Sequence, residues 1–257
     1  MQLSRRLRSA AAMTLFAGLS FSASAAGPAS SDANVVLVHG AFADGSDWDK
    51  VIPLLQAEGV HVVSVQNPLT SLEDDVAAVR RAIDAQPGKV VLVGHSWGGV
   101  VITEAGAAEK VASLVYVAAF APDAGQIAGE IGKNHPPAPG FAHISADSGG
   151  FLRLTPEGVS KHFAQDLPAS RTAVMTATQG PIHSKAFEQK VSTAAWKTKP
   201  SWYVVATADH MIQPDLQREM AKKIGARVTA LNTSHVPHQS QPAKVAQVIL
   251  DAVRQSK

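Results

Sequence analysis

Residues 89–106 read KVVLV, GHSWG, GVVITEAG, and the middle five, Gly94-His95-Ser96-Trp97-Gly98, decide how the rest of the chain is read. A buried apolar run gains nothing from a hydroxyl at its end, and a turn rich in glycine costs backbone entropy. The pattern Gly-x-Ser-x-Gly, following a strand and opening a helix, describes a sharp turn that lifts a serine hydroxyl clear of a sheet. The residues two before and two after the serine must be small, because strand and helix pass close there. The same turn places the Trp97 N–H at the start of a helix, where backbone donors lack partners and favour negative charge.

Working outward, KVVLVGH (89–95) is one of six similar runs. The others are NVVLVH (34–39), HVVSVQ (61–66), VASLVYVAA (111–119), SWYVVAT (201–207) and RVTAL (227–231). Continuous Val-rich runs suit strands buried on both faces of a parallel sheet. Helical patterns alternate with them. Leu72, Val76, Val79 and Ile83 recur at helical spacing, with Thr70 or Ser71 as cap and Glu73 placed for a capping box with Thr70. Segments 51–58, 99–109, 214–224 and 242–254 also read as helices. The alternation predicts an α/β fold: a mostly parallel central sheet with helices on both faces. Segment 122–196 breaks the rhythm, with KNHPPAPG, DSGG and short helical pieces. It is expected to be a small helical cap inserted into a core made of 27–121 and 197–257.

The first 26 residues carry Arg5, Arg6 and Arg8, a short apolar stretch and the small-residue end Ala23-Ser24-Ala25-Ala26. This is the three-part pattern of a signal peptide, so the protein is expected to be exported, to the periplasm or beyond. Ser4-Arg5-Arg6 hints at twin-arginine export. The formal net charge of +2 owes three positive charges to this leader, and without it the chain is slightly acidic. No dense Lys/Arg cluster follows, which argues against a nucleic-acid partner. No stable membrane span is expected after processing. The chain has no cysteine, which excludes disulfides, thiolate metal sites and a cysteine nucleophile.

A serine hydroxyl becomes a good nucleophile only when a base takes its proton. The base is sought late in the chain, after a strand. His235, in LNTSHVPHQSQP, follows the last predicted strand directly; His238 is the competitor and reads as a surface-loop histidine. The His-x-x-His spacing could suggest a metal, but no acidic cluster accompanies it, and neither metal nor cofactor is expected. The acid that orients the base is sought at the carboxyl end of a strand. Asp209, in YVVATADHMIQP, stands there, in the chain order serine, acid, histidine. Asp123 is the fallback, and Asp215 reads as a helix-start residue. A developing oxyanion needs two fixed donors. Trp97 N–H is one. The other comes from VHGAFADGSDW: Ala41 N–H, with Phe42 as alternative. His39 is expected to hold that loop and His95 to pack beneath the turn.

These residues resemble the α/β-hydrolase superfamily, from about Asp32 to the end of the chain. HGAFADGSDWDKVIPLL resembles the esterase and hydroxynitrile-lyase-like branch. TPEGV and AAWKTKPSWYVVAT are similar to segments of exported bacterial single-domain serine hydrolases. The resemblance implies a Ser96–His235–Asp209 triad, no metal, and cleavage of a small, largely apolar ester or lactone through an acyl-enzyme. It also implies that the insertion forms the pocket. Phe42, Phe120, His183 and Trp196 are expected to bind substrate, with Phe141, Phe151, Phe163 and Met175 as further cap candidates. Trp97 is bulkier than many relatives carry at its position, which narrows the acyl side. A hydroxynitrile lyase, a cofactor-free haloperoxidase or perhydrolase, and a non-enzymatic ligand receptor are the alternatives. A lyase would need a positive group near the leaving anion.

Overall fold

A computed structural model describes residues 33–256; the predicted leader, 1–26, lies outside them. In chain order the strands are β1 (Asn34–Val38), β2 (His61–Val65), β3 (Val90–His95), β4 (Val111–Val117), β5 (Ile144–Ala146), β6 (Phe151–Leu154), β7 (Ile182–His183), β8 (Ser201–Ala206) and β9 (Arg227–Leu231). The six Val-rich runs form one sheet in the order β2-β1-β3-β4-β8-β9, and every neighbouring pair is parallel.

The α-helices among the described residues are α1 (Ile52–Ala57), α2 (Leu72–Asp84), α3 (Gly98–Ala105), the single turn α4 (Pro156–Gly158), α5 (Ala169–Thr178), α6 (Pro214–Lys223), the short α7 (Pro237–Ser240) and α8 (Pro242–Gln255). Alternate residues of each central strand enter opposite cores, as the pleat requires. Val36, Val38, Leu92, Leu114, Tyr116 and Val205 pack with α2, α3 and α6; Val35, Leu37, Val91, Val93, Val115 and Val204 pack with α1 and α8. Each fully buried Val or Leu contributes about 1.5–3 kcal/mol relative to exposure. The outer strands depart from the expectation of two buried faces: β2 and β9 are mostly exposed or half-buried, because each ends the sheet and is covered less completely.

Helix α2 begins at Ser71, whose side chain accepts from the Asp74 N–H. The predicted Thr70–Glu73 capping box does not form; Thr70 and Ser71 hydroxyls both donate to the Asp74 carboxylate instead, each at 2.6 Å.

The insertion between β4 and β8 is not purely helical. Strands β5, β6 and β7 make a small antiparallel sheet beside α4, α5 and several 3₁₀ turns. These strands are two to four residues long and only partly buried, so they carry no Val-rich signal. Trp196 Nε1–H donates to the Pro122 carbonyl at 2.7 Å and ties the two ends of the insertion together. No helix among the described residues is long and apolar enough to cross a membrane.

The chain runs from β1 outward to β2, then returns past β1 to β3 before progressing to β4. The direction of winding therefore reverses between β1 and β3. In open parallel sheets a crevice forms at the carboxyl ends of such strands. The loop His39-Gly40-Ala41 and the turn around Ser96 both leave the sheet at that point.

Candidate active site

Ser96 sits at φ +51°, a left-handed conformation that non-glycine residues rarely adopt. The surroundings hold it there: its N–H donates to Val117 O at 3.2 Å, and its carbonyl accepts from Gly99 N–H and Phe120 N–H. The flanking glycines are required by close approach. A Cβ on Gly94 would stand 2.6 Å from the Gly98 carbonyl oxygen, and a Cβ on Gly98 would stand 2.6 Å from that of Val38.

His235 arrives from the loop after β9 and Asp209 from the loop after β8. The structure brings both to the serine. His235 Nε2 lies 2.8 Å from Ser96 Oγ, and His235 Nδ1 lies 2.7 Å from Asp209 Oδ2. An ionised carboxylate only accepts, so Nδ1 carries the hydrogen, and Nε2 is left with a lone pair facing the serine O–H. Asp209 is 4% exposed and fully satisfied. Its Oδ1 accepts from Met211 N–H and Ile212 N–H at 2.7 and 3.0 Å, and its Oδ2 accepts also from Gln217 Nε2 at 2.7 Å. Asp123 pairs with Lys197 instead of joining this arrangement, and Asp215 stands in the first turn of α6 against Arg218.

His39 and His95 both act on backbone. His39 Nδ1–H donates to Gly40 O at 2.8 Å while Nε2 accepts from Asn67 N–H at 3.0 Å, which pins the loop carrying Ala41. His95 Nε2–H donates to the His235 carbonyl at 2.8 Å. Burial holds both imidazoles below their usual pKa, His95 well below, which favours these neutral tautomers.

His238 is not the surface residue expected from sequence. It is fully buried, and its Nε2 lies 2.7 Å from Asp47 Oδ2. Burial alone would raise the Asp47 carboxyl; the adjacent His238, together with His39 and Arg171, more than offsets this, and the carboxyl sits below its usual value. Trp48 and His95 close over the His238 ring. Helix α7 turns the chain inward directly after His235, and that geometry has no signature in HVPHQS. Asp47, His95 and His238 bring ligand-type atoms within 4.8 Å of one another. The direct Asp47–His238 hydrogen bond would have to open before an ion could sit between them.

A cavity of about 210 Å³ opens over Ser96 and His235, walled by Phe42, Trp97, Phe120, Phe163, Phe187 and Met211 among other apolar residues. Ala41 also lines it, beside Trp97, so both backbone segments named as oxyanion donors border the same space. Of the substrate-contact residues expected from sequence, Phe42 and Phe120 reach the cavity, as do Phe141 and Phe163. His183 and Trp196 do not. His183 is spent on the small sheet, edge-on to Phe151 with Nδ1 accepting from Lys185 N–H, and Trp196 lies across the base of the insertion under Lys197 and Lys223. Phe151 and Met175 also face elsewhere. Sequence reading missed Phe187, Met211 and Ile212, which line the wall, and Gln217, whose buried amide braces Asp209. Gln217 stands on the inward side of α6, and a polar residue at an inward position is the signal that could have found it.

Residues 35–248 match the profile of the alpha/beta hydrolase family. A pyrethroid hydrolase of Sphingobium wenxiniae is 25% identical, over 85% of this chain and 86% of its own. Among solved structures, a pyrethroid hydrolase superposes with a TM-score of 0.76 at 24% identity, over 86% of this chain and 98% of that one. A polyneuridine aldehyde esterase superposes with a TM-score of 0.75 at 23% identity, over 85% and 98%.

Proposed function

The chain belongs to the alpha/beta hydrolase family, and from that premise we propose that it is a serine carboxylesterase cleaving a small, largely apolar ester or lactone through an acyl-enzyme. Relatives named as hydrolases and esterases support ester cleavage in general. The single observation that carries the finer reading is the continuous hydrogen-bond chain Ser96–His235–Asp209, at 2.8 and 2.7 Å, opening into a cavity with no aspartate, glutamate, lysine or arginine among its described lining residues.

In this mechanism Ser96 Oγ attacks the ester carbonyl while His235 Nε2 takes the hydroxyl proton. Asp209 holds the imidazole in the required tautomer and stabilises the imidazolium. The N–H groups of Trp97 and Ala41 receive the oxyanion. Collapse breaks the bond to the leaving alkoxide, which takes the proton from His235 and departs as the alcohol. Water, deprotonated by the same imidazole, then attacks the acyl-Ser96 ester and releases the acid. The charge-free apolar wall selects neutral substrates, since an unpaired charge placed there would lose its hydration without compensation. The hydroxynitrile-lyase alternative needs a cation near the leaving anion, and no lysine or arginine among the described residues lines the cavity.

Ser96→Ala tests the assignment. Turnover of short p-nitrophenyl esters and labelling by a fluorophosphonate are both expected to vanish, a loss on the order of 10⁴–10⁶-fold in turnover. Labelling that persists unchanged in the variant removes Ser96 as nucleophile. The pattern of residues 1–26 further supports export of the protein; N-terminal sequencing of protein recovered outside the cytoplasm would show cleavage after Ala25 or Ala26, and an intact Met1 would refute it.

A further inference from the structure

Helix α2 presents an apolar stripe to the core, Leu72, Val76, Val79 and Ile83, and Asp75 stands within that stripe with no exposed surface. A carboxylate in such a place needs partners for both oxygens. They come from two different parts of the molecule. Trp97 Nε1–H donates to Asp75 Oδ2 at 2.7 Å, and Leu69 N–H donates to Asp75 Oδ1 at 2.7 Å.

Neither donor is incidental. Trp97 follows the nucleophilic serine directly, is 1% exposed, and forms one wall of the cavity, edge-on to Phe187 of the cap at 5.0 Å. Leu69 sits at φ +58°, a left-handed conformation costly for a branched side chain. Its carbonyl accepts from His183 N–H of β7 at 2.8 Å, so the small sheet of the cap hangs on that strained turn. One carboxylate thus holds the indole beside the serine and the turn that anchors the cap.

We infer that Asp75 is a positioning residue for the pocket: it fixes the Trp97 wall against the cap by bonding the indole with one oxygen and the Leu69 turn with the other. The activity arm of this inference rests on the serine-esterase reading; the spectroscopic arm does not. Burial raises the Asp75 carboxyl to about 6, against the opposing pull of the Trp97 and Leu69 hydrogen bonds. The groups facing it are the neutral indole from the elbow, the neutral amide from the turn, and Asp74 on its own helix, which itself faces Lys185 of the cap. Protonation near pH 6 weakens the carboxylate as an acceptor, so the wall should loosen on the acid side of that point.

The test compares wild type, Asp75→Asn and Trp97→Phe as purified full chains, each checked for folding by circular dichroism. Tryptophan fluorescence titrated through pH 6 is expected to show a transition in wild type that is reduced in both variants: the carboxyl beside Trp97 is gone in the first and the Trp97 reporter in the second, while Trp48, Trp196 and Trp202 set the common background. KM for an ester with a bulky apolar acyl group should rise about tenfold in Asp75→Asn, with kcat changed less than KM and Ser96 still labelled by a fluorophosphonate. A transition surviving at full amplitude in either variant, or a KM within about twofold of wild type in folded Asp75→Asn, overturns the inference. If Asp75→Asn does not fold, the Trp97→Phe titration still decides. Absence of Ser96 labelling in wild type would instead refute the esterase reading and leave the fluorescence result to stand on its own.

Discussion

Two buried aspartate–histidine pairs lie side by side in this molecule, and they differ in what surrounds the second imidazole nitrogen. Asp209–His235 and Asp47–His238 both measure 2.7 Å, and all four side chains are almost wholly out of solvent. His235 turns its other nitrogen to a serine hydroxyl at the floor of an apolar cavity. His238 turns its other nitrogen, Nδ1, to no hydrogen-bond partner, and lies boxed in by Trp48 and His95. The pairing of acid and base is therefore not what distinguishes a proton relay. In the proposed mechanism the distinction is a serine hydroxyl and a cavity on the far side of the ring. His95 stands between the two pairs, its ring close to both histidines and its N–H on the His235 backbone, so the inner pair is part of the frame on which the outer one is mounted.

Substitutions can break this comparison. The largest expected effect separates the two histidines. His235→Ala should lower kcat on the order of 10⁴-fold or more with a modest change in stability. His238→Ala leaves the Asp47 carboxylate buried without its partner and should cost about 3–5 kcal/mol of stability, read by chemical denaturation, while folded enzyme keeps most of its turnover. Equal losses of turnover in the two folded variants would mean that the pairs are not distinct in role.

The aspartates should divide in the same way. Asp209→Asn presents the wrong hydrogen-bonding partner to His235 and is expected to lower kcat about 10⁴-fold with little unfolding. Asp47→Asn should act on stability and on its pH dependence. The Asp47 carboxyl is held below its usual value, so its contribution is complete above the ordinary carboxylate range and is lost as pH falls through that range and below it. Acid denaturation curves of Asp47→Asn should be flatter there; an unchanged acid limb would refute the assignment.

A smaller effect sharpens the contrast. Gln217 braces Asp209 Oδ2 and also accepts from Ala206 N–H. Gln217→Ala should lower kcat about tenfold, because the carboxylate loses one of its four donors. A variant indistinguishable in kcat would assign Gln217 to packing alone.

Much of this was legible in the chain. The apolar runs of the four inner strands announce themselves because a sheet covered on both faces tolerates little else, and Gly94 and Gly98 announce the turn because no Cβ fits where helix crosses strand. Ser96, Asp209 and His235 could each be placed at the carboxyl end of a strand, and a parallel sheet brings all such ends to one edge. That is a consequence of topology, so local pattern sufficed.

What only the tertiary structure decided concerns residues whose neighbours are distant along the chain. Nothing local in HVPHQS shows that His238 faces inward to Asp47, 191 residues earlier. Nothing in PIHSK or AAWK shows that His183 and Trp196 turn from the cavity while Phe187 and Met211 reach it. Asp75 reads as one more acid in the first turn of a helix until the fold sets Trp97 and Leu69 against it. Sequence determines which elements form, since periodicity and backbone sterics act over a few residues. Packing determines what each buried side chain meets, since the free energy of a buried polar group depends on partners that only the folded chain supplies.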